Sequence, residues 1–404
     1  MNYKSQIASL AMVGLLLVAP ALFAATPSSE EMWKIIQQQQ QMIERQAAQI
    51  SALTTSNQQI GEQVEATAVA MEATEQRVSS AVSWAENTQV GGYGELHFNH
   101  FDDKDDQADF HRFVLYFNHQ FNDRVRFFSE FEVEHSLVAD TAGGDNDGEI
   151  EIEQAFIEFA LNDYTAARAG MFLMPIGIIN ETHEPNTFYG VERNPVEKRI
   201  IPATWWESGV GLSGEVAPGW GYDLAMTTGL DVSDNPFNIR SGRQKSAKAT
   251  AESFAYIGRL KYTGMPGLEL AASVRYEEDL LQGSAADDAS AMLYETHVVW
   301  NRGDFGLRAL YAMWDIDSQL AESMNVDKQD GWYVEPSYQV SEQWGLFARY
   351  NEWDNGGLGS TEIEQTNFGV NYWPVENVVF KFDVQEQDGA KDEDGFNLGV
   401  GYQF

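Results

Sequence analysis

The chain has 404 residues, and its 62 Asp and Glu against 25 Lys and Arg give a formal net charge of −37. This acidity would repel a phosphate backbone and argues against a nucleic-acid partner, while the absence of Cys excludes disulfides, thiolate nucleophiles and Cys-ligated metals. With 34 Gly, 23 Phe, 16 Tyr and 11 Trp, the composition favours a large β protein over a disordered or a helical one.

Residues 1–25 have the features of a secretory signal peptide. Lys4 precedes an apolar run over residues 7–18, and small residues follow Pro20, so cleavage is expected within 21–25. A retained membrane anchor is the alternative, although the apolar run is short for a spanning helix. No later run is long enough to span a bilayer as a helix, so the exported chain is expected to be soluble or to insert as strands.

Residues 26–88 are predicted to form a helix with a seven-residue apolar repeat. One heptad position is occupied by Ile36, Ile43, Ile50, Asn57, Val64, Met71 and Val78. An isoleucine-rich seam favours two or three helices, and Asn57 in the core would fix their register. We expect a trimeric coiled coil, with a simple spacer helix as the alternative.

From residue 89 to residue 404, apolar residues recur at every second position, as they do in β-strands. Val125, Phe127, Phe131 and Val133, for example, alternate with charged neighbours. Counting such segments predicts sixteen strands, whose connections alternate between short turns and long loops. This pattern is typical of a closed, antiparallel, up-and-down membrane barrel with apolar residues outside and a polar lumen. A soluble β-sandwich is the alternative, but it would bury the many charges of the polar face.

Side chains alternate between the two faces of a strand, so the charged residues that alternate with the apolar ones are predicted to line the lumen. The basic ones are Arg112, Arg124, Arg126, Arg168, Arg259, Lys261, Arg275, Arg308, Arg349 and Lys381. Acidic residues of the same parity are nearly as numerous, so most of the excess acid is expected in the loops at one rim. Those acidic loops either hold divalent cations that bridge lipid phosphates or are simply solvated. The basic loop 240–248 could attract anions or contact lipid phosphates.

Four segments resemble the outer-membrane porins typified by the phosphate-selective porins O and P. They are residues 111–116 (HRFVLY), 169–177 (AGMFLMPIG), 189–194 (YGVERN) and 209–215 (GVGLSGE). The resemblance implies a trimeric, sixteen-stranded barrel, in some members preceded by a periplasmic coiled coil. Phosphate selection in that family relies on a ladder of Arg and Lys, of which this sequence retains only part.

The resemblance also assigns a role to the long connection 174–207, which follows the fifth strand. Trimeric porins fold a loop from this position into the channel. Its charged candidates for the constriction are Glu181, His183, Glu184, Glu192, Arg193, Glu197, Lys198 and Arg199. Opposed charges across a pore would filter polar solutes; alternatively, these residues pair to hold the loop against the wall.

Catalytic and cofactor motifs are absent from the sequence. It contains no GxSxG, GxxxxGK[ST] or HExxH, and its seven His are scattered. We therefore expect no enzyme activity, cofactor or metal.

The function expected is that of an outer-membrane porin for passive diffusion of small hydrophilic solutes and ions, with anions such as phosphate among the candidates. The coiled coil would lie in the periplasm, and the barrel would contact outer-membrane lipids and lipopolysaccharide. Phe404 ends an aromatic-rich alternating segment that resembles the terminal strand recognised during barrel insertion. The alternative function is a structural tether from the outer membrane to the cell wall.

Overall fold

The computed structural model describes residues 28–136, 148–232, 237–285 and 288–404. The predicted signal peptide and part of the acidic loop near residue 145 lie outside these ranges. Contacts divide the chain into two units, residues 1–81 and 82–404.

The first unit contains most of helix α1 (Ser29–Glu86). The predicted helix is therefore confirmed. The apolar residues of the heptad seam are about half exposed or more on this single helix, from 49% for Ile36 to 64% for Ile43 and Ile50. An isolated helix cannot bury such a seam, and the coiled coil stays a prediction.

Sixteen antiparallel strands form a closed barrel in the described part of the second unit, as the sequence predicts. The strands are β1 (Thr88–Phe101), β2 (Gln107–Asn122), β3 (Val125–Glu134), β4 (Ile150–Asn162), β5 (Thr165–Leu173), β6 (Trp206–Ala217), β7 (Trp220–Thr227), β8 (Ala255–Met265), β9 (Leu268–Glu277), β10 (Ser290–Arg302), β11 (Phe305–Asp317), β12 (Lys328–Ser341), β13 (Trp344–Asp354), β14 (Ile363–Val375), β15 (Val378–Gly389) and β16 (Gly395–Gln403). Short helices α2 (Pro195–Arg199) and α3 (Gln319–Met324) lie in two of the long loops.

The side chains of each strand alternate between an apolar outer face and a polar inner face. On β9, Leu270, Val274 and Tyr276 are about two-fifths exposed on the outside, whereas Ser273 and Arg275 are buried on the inside. This is the inverse of a soluble barrel and is the arrangement that lipid requires.

Aromatic pairs mark the rim that carries the short turns. Trp220 lies 4.8 Å from Tyr262, and Trp344 lies 4.4 Å from Tyr372, measured between ring centroids. Amphipathic rings at this level are typical of the interface between lipid and water. The barrel closes where β16 pairs with β1, and the backbone of Phe404 exchanges two hydrogen bonds with Gly92.

Two long loops fold into the lumen. The third long connection, L3 (residues 174–205), and the fourth, L4 (residues 228–254), pack with the inner faces of the wall. Met174, Ile200 and Trp205 of L3 are fully buried against wall residues such as Trp314. L3 is thus fixed by an apolar core on one side and presents its polar side to the rest of the lumen.

None of the helices in the described ranges is long and apolar enough to cross a membrane.

Candidate channel constriction

The base of L3 is closed by the amide of Asn180. Its Nδ2 donates to the carbonyl oxygens of Met174 and Trp205 at 2.8 and 3.0 Å, and its Oδ1 accepts from the Trp205 backbone N at 2.7 Å. One buried side chain therefore joins the two ends of the loop.

The middle of L3 is organised around Glu197. Its carboxylate is fully buried and accepts from the backbone N atoms of Ile178 and Ile179 at 2.8 and 2.6 Å and from the Tyr333 hydroxyl at 2.7 Å. Burial raises the pKa of Glu197, and these hydrogen bonds oppose that rise. Asn194 caps α2 by accepting from the Val196 N at 2.8 Å, so Glu197 is held where its carboxylate meets the opposite limb of the loop.

Several wall arginines hold L3 rather than face open water. Three donate to its carbonyl oxygens: Arg112 to His183 at 2.9 Å, Arg308 to Thr187 at 2.7 Å and Arg349 to Tyr189 at 3.5 Å. A fourth, Arg259, forms an ion pair with Glu181 and a second one with Asp223 at 2.7 Å. Some of the predicted constriction residues and some of the predicted basic lumen residues therefore pair the loop with the wall, which is the alternative that the sequence also offered.

L4 adds two more arginines to the same region. Arg240 donates to the carbonyls of Lys198 and Ala203 at 2.9 and 2.7 Å. Arg243 donates to the carbonyls of Pro202 and Thr204 at 3.2 and 2.5 Å. The sequence predicts that this basic loop attracts anions or contacts lipid phosphates, and the structure brings Arg240 and Arg243 onto L3.

A first cavity, of about 270 Å³, lies between L3, L4 and the wall formed by β1 to β4. Its cationic lining comes from the two loops: Arg193, Lys198, Arg240, Arg243 and Lys245. Its acidic lining comes mostly from the wall: Glu95, Glu134, Glu151, Glu153 and, on L3, Glu192. Opposite charges on facing sides create a transverse field across the cavity.

A second cavity, of about 560 Å³, borders L3 on the side of β1 and β13 to β15. Six of its lining residues are basic, namely Lys104, Arg193, Lys198, Arg199, Arg349 and Lys391. Two are acidic, Glu192 and Glu393, and most of the other polar lining residues are Asn or Gln. Both lysines at its rim pair with Glu393, at 2.8 and 2.7 Å. This compartment carries net positive charge although the chain as a whole is strongly acidic.

The pKa values of two basic residues in the loops are lowered. Burial lowers the pKa of Lys198, and the neighbouring Arg240 and Arg199 lower it further, against the effect of Glu192. Burial and the charges of Arg243 and Arg199 likewise lower the pKa of Arg240. Burial is the largest cause of both shifts, and the neighbouring cations add to it.

The predicted constriction residues divide into two groups. Glu192, Arg193 and Lys198 line both cavities, and Arg199 lines the second. Glu181, His183 and Glu197 instead bind L3 to itself or to the wall. Glu184 is partly exposed, and among the described residues its side chain forms no hydrogen bond or ion pair.

The predicted basic lumen residues also differ in their surroundings. Arg275 is fully buried and pairs with Glu207 and Glu277 at 2.7 and 2.5 Å. Arg126 pairs with Glu158 at 2.7 Å. Three others lie on inner faces: Arg168, 4.3 Å over the Phe172 ring; Lys261, partly buried; and Lys381, 3.6 Å over the Phe188 ring of L3.

The expectation for Arg124 is corrected by the structure. Arg124 lies in the exposed turn between β2 and β3 rather than on a strand. Asn122 Oδ1 accepts from the backbone N atoms of Arg124 and Val125 at 2.9 and 3.1 Å. This Asx turn ends β2 and delays the start of β3 to Val125.

Sequence reasoning missed the amide-rich part of the second cavity. Its members are Asn99, Gln107, Asn355, Gln365, Asn367, Gln385 and Gln387. The sequence signal for this surface is the neutral polar residues at inward positions of the strands.

Comparison with known proteins identifies the barrel. Residues 89–404 match the family model described as phosphate-selective porin O and P. An uncharacterized protein of Aquifex aeolicus (strain VF5) is 28% identical over 355 residues, which cover 78% of this chain and 79% of the relative.

Solved porin structures share the fold at low sequence identity. The anion-selective porin from Comamonas acidovorans superposes with a TM-score of 0.57 at 10% identity, over 78% of this chain and 99% of that one. The outer membrane channel DcaP of Acinetobacter baumannii gives 0.54 at 13% identity, over 78% and 97%. The trimer form of OmpT, an outer membrane protein of Vibrio cholerae, gives 0.54 at 14% identity, over 78% and 99%.

Proposed function

We infer the function from the family to which the chain belongs, that of the phosphate-selective porins O and P. Family and barrel fold together support an outer-membrane channel. Within that role, we propose that small hydrophilic solutes diffuse through the barrel past L3 and that the channel prefers anions, phosphate among them.

The second cavity carries this proposal. Its six basic residues outnumber two acidic ones, and L3 contributes three of the six. A confined space with an excess of fixed positive charge raises the local concentration of anions. The description of the Comamonas structure as anion-selective and the family description agree with this preference. The transverse field of the first cavity would orient polar solutes that carry both charges.

Conductance across a planar bilayer tests the proposal. Purified protein should give ohmic channels in potassium chloride, and phosphate added at constant ionic strength should lower the chloride current, because both anions compete for the same cations. A complete lack of conductance by correctly folded barrels would contradict the channel itself. A chloride current that phosphate leaves unchanged would contradict phosphate as a solute.

The lowered pKa of Lys198 predicts how selectivity depends on pH. Lys198 loses its proton below the ordinary lysine pKa of about 10.4. Raising the pH through the alkaline range should therefore lower the anion-to-cation permeability ratio before ordinary lysines titrate. The measurement is the reversal potential at successive pH values. Lys198→Arg should keep the ratio high at alkaline pH, and an equal fall in that variant would assign the effect to another group.

We further propose that the protein is a homotrimer with α1 as a periplasmic coiled coil. The trimer form of OmpT supports the first part by analogy, and the exposed heptad seam of α1 supports the second. Deleting residues 28–86 should leave single-channel conductance unchanged and lower the thermal stability of the trimer. Native mass measurement in detergent checks the assembly, and a monomeric full-length protein would contradict this proposal. The family and fold comparisons favour a channel over a purely structural tether.

A further inference from the structure

Three side chains converge where L3 meets the barrel wall. Glu130 on β3, Glu153 on β4 and His183 on L3 are only 5%, 1% and 2% exposed. His183 Nε2 lies 3.4 Å from Glu153 Oε2 and 4.0 Å from Glu130 Oε1. One potential ligand atom from each residue lies within 4.8 Å of the other two.

The hydrogen-bonding of His183 defines what its ring presents to the carboxylates. Its Nδ1 lies 3.1 Å from the carbonyl oxygen of Asn180, and a carbonyl can only accept, so Nδ1 carries a proton. The neutral ring then presents a lone pair at Nε2 to two carboxylates that are acceptors as well. His183 Nε2 and Glu153 Oε2 have no hydrogen-bond partner in the described structure. Buried acceptors that face one another are unfavourable unless a proton or a metal cation lies among them.

The charge of the surroundings leads to the same conclusion. Glu132, also buried, adds a third carboxyl group beside Glu153. The guanidinium of Arg112 contacts Glu95 at 2.5 Å and the His183 carbonyl at 2.9 Å, and its charge acts on Glu132 and Glu153 without an ion pair to either. Within the described ranges, no Lys or Arg forms an ion pair with Glu130, Glu132 or Glu153. The buried acidic charge therefore lacks a fixed counter-charge in contact with it.

The outer contacts of the three residues suit a metal centre. Glu130 accepts from the Tyr93 hydroxyl at 3.1 Å and from Gln154 Nε2 at 2.7 Å. Supporting hydrogen bonds of this kind, together with an Nδ1–H to carbonyl contact, orient carboxylate and imidazole ligands toward a metal. Glu153 also lines the first cavity, which gives an ion a path from water.

We propose that Glu130, Glu153 and His183 bind a divalent transition-metal ion of the zinc type, which ties L3 to the barrel wall. An imidazole with two carboxylates suits such ions, whereas Ca²⁺ and Mg²⁺ prefer oxygen ligands alone. Tetrahedral zinc bonds of about 2.0–2.2 Å place neighbouring ligand atoms roughly 3.3–3.6 Å apart. The 3.4 Å separation of His183 Nε2 and Glu153 Oε2 fits this, and Glu130 Oε1 lies farther from His183 Nε2, at 4.0 Å. The two carboxylates neutralise the ion.

A second group of potential ligands provides a control. Asp109, His111 and His135 also converge, at the barrel rim that carries the long loops. There the His111 and His135 Nδ1 atoms already contact Asp109, at 3.2 and 2.9 Å, so the polar groups satisfy one another. This rim group does not require an ion.

The test uses the full-length protein, freed of metal with a chelator, and zinc chloride alone as the probe. Calorimetric titration should detect one tight site per chain. Glu153→Gln, which keeps the size of the side chain, should weaken zinc binding at least tenfold, and His111→Asn should leave it unchanged. Conductance of each variant reports that the barrel has formed.

Crystals of the unaltered protein soaked in zinc chloride test the location of the zinc site without any variant. An anomalous peak at the zinc edge among Glu130, Glu153 and His183 would support the proposal. A peak only at Asp109, His111 and His135, or the same affinity in Glu153→Gln as in the unaltered protein, would overturn it. The absence of any bound zinc would also overturn the proposal. None of these outcomes depends on the anion selectivity of the channel.

Discussion

Replacing Arg193, Lys198 and Arg199 together by Gln is expected to remove most of the anion preference of the channel. These residues supply half of the six basic side chains around the second cavity, and Lys104, Arg349 and Lys391 would remain against Glu192 and Glu393. One unit charge at about 4 Å contributes roughly 1 kcal/mol in a water-like dielectric. Each charge removed should therefore lower the anion-to-cation permeability ratio roughly two- to fivefold. The three substitutions should together lower it by roughly one to two orders of magnitude.

Reversal potentials in a salt gradient measure this ratio. Arg124→Gln is the matched control, because it removes the same type of charge from an exposed turn away from both cavities. Its permeability ratio should equal that of the unaltered protein. An unchanged ratio in the triple variant would show that L3 does not set the selectivity.

Replacing Glu197 by Ala is expected to release L3 from the wall while the barrel persists. The substitution leaves two backbone N–H groups and the Tyr333 hydroxyl without their acceptor. Each buried donor left unsatisfied costs about 1–3 kcal/mol, so the closed position of L3 should be destabilised by several kcal/mol. We expect a larger and noisier single-channel conductance and passage of larger neutral solutes.

Liposome swelling with sugars of increasing size measures the change in size exclusion. Glu184→Ala serves as the control on the same loop, since its side chain forms no hydrogen bond or ion pair within the described structure. The control should keep the original size limit. If Glu197→Ala kept it as well, Glu197 would not be what holds the constriction.

The barrel could be predicted from the sequence because its pattern is local. Each strand repeats an outward apolar residue and an inward polar one, so residues such as Val274 and Arg275 could be assigned to opposite faces from their order alone. Turn residues then fixed the number of strands. Boundaries were less predictable where side chains decide them, as the Asx turn of Asn122 shows for Arg124.

The constriction could be predicted only in part, because a strand's parity gives the direction of a side chain and not its partner. Arg112 and Arg349 face the lumen as predicted, yet they contact the backbone of L3 instead of lining open water at that point. Glu197 was selected as a pore charge, but tertiary packing buries it.

The position of Arg240 on L3 depends on the course of L4 across the lumen. No periodicity encodes that course. The cationic side of the first cavity, to which L3 and L4 both contribute, could therefore not be predicted from the sequence pattern.

The reversal potential of the unaltered protein in a potassium chloride gradient tests the central claim most directly. The excess of fixed positive charge around the second cavity predicts a potential of the sign set by chloride, despite the net charge of −37. A potential of the sign set by potassium would contradict the account, because it would show that the acidic rim and not the constriction controls which ions pass.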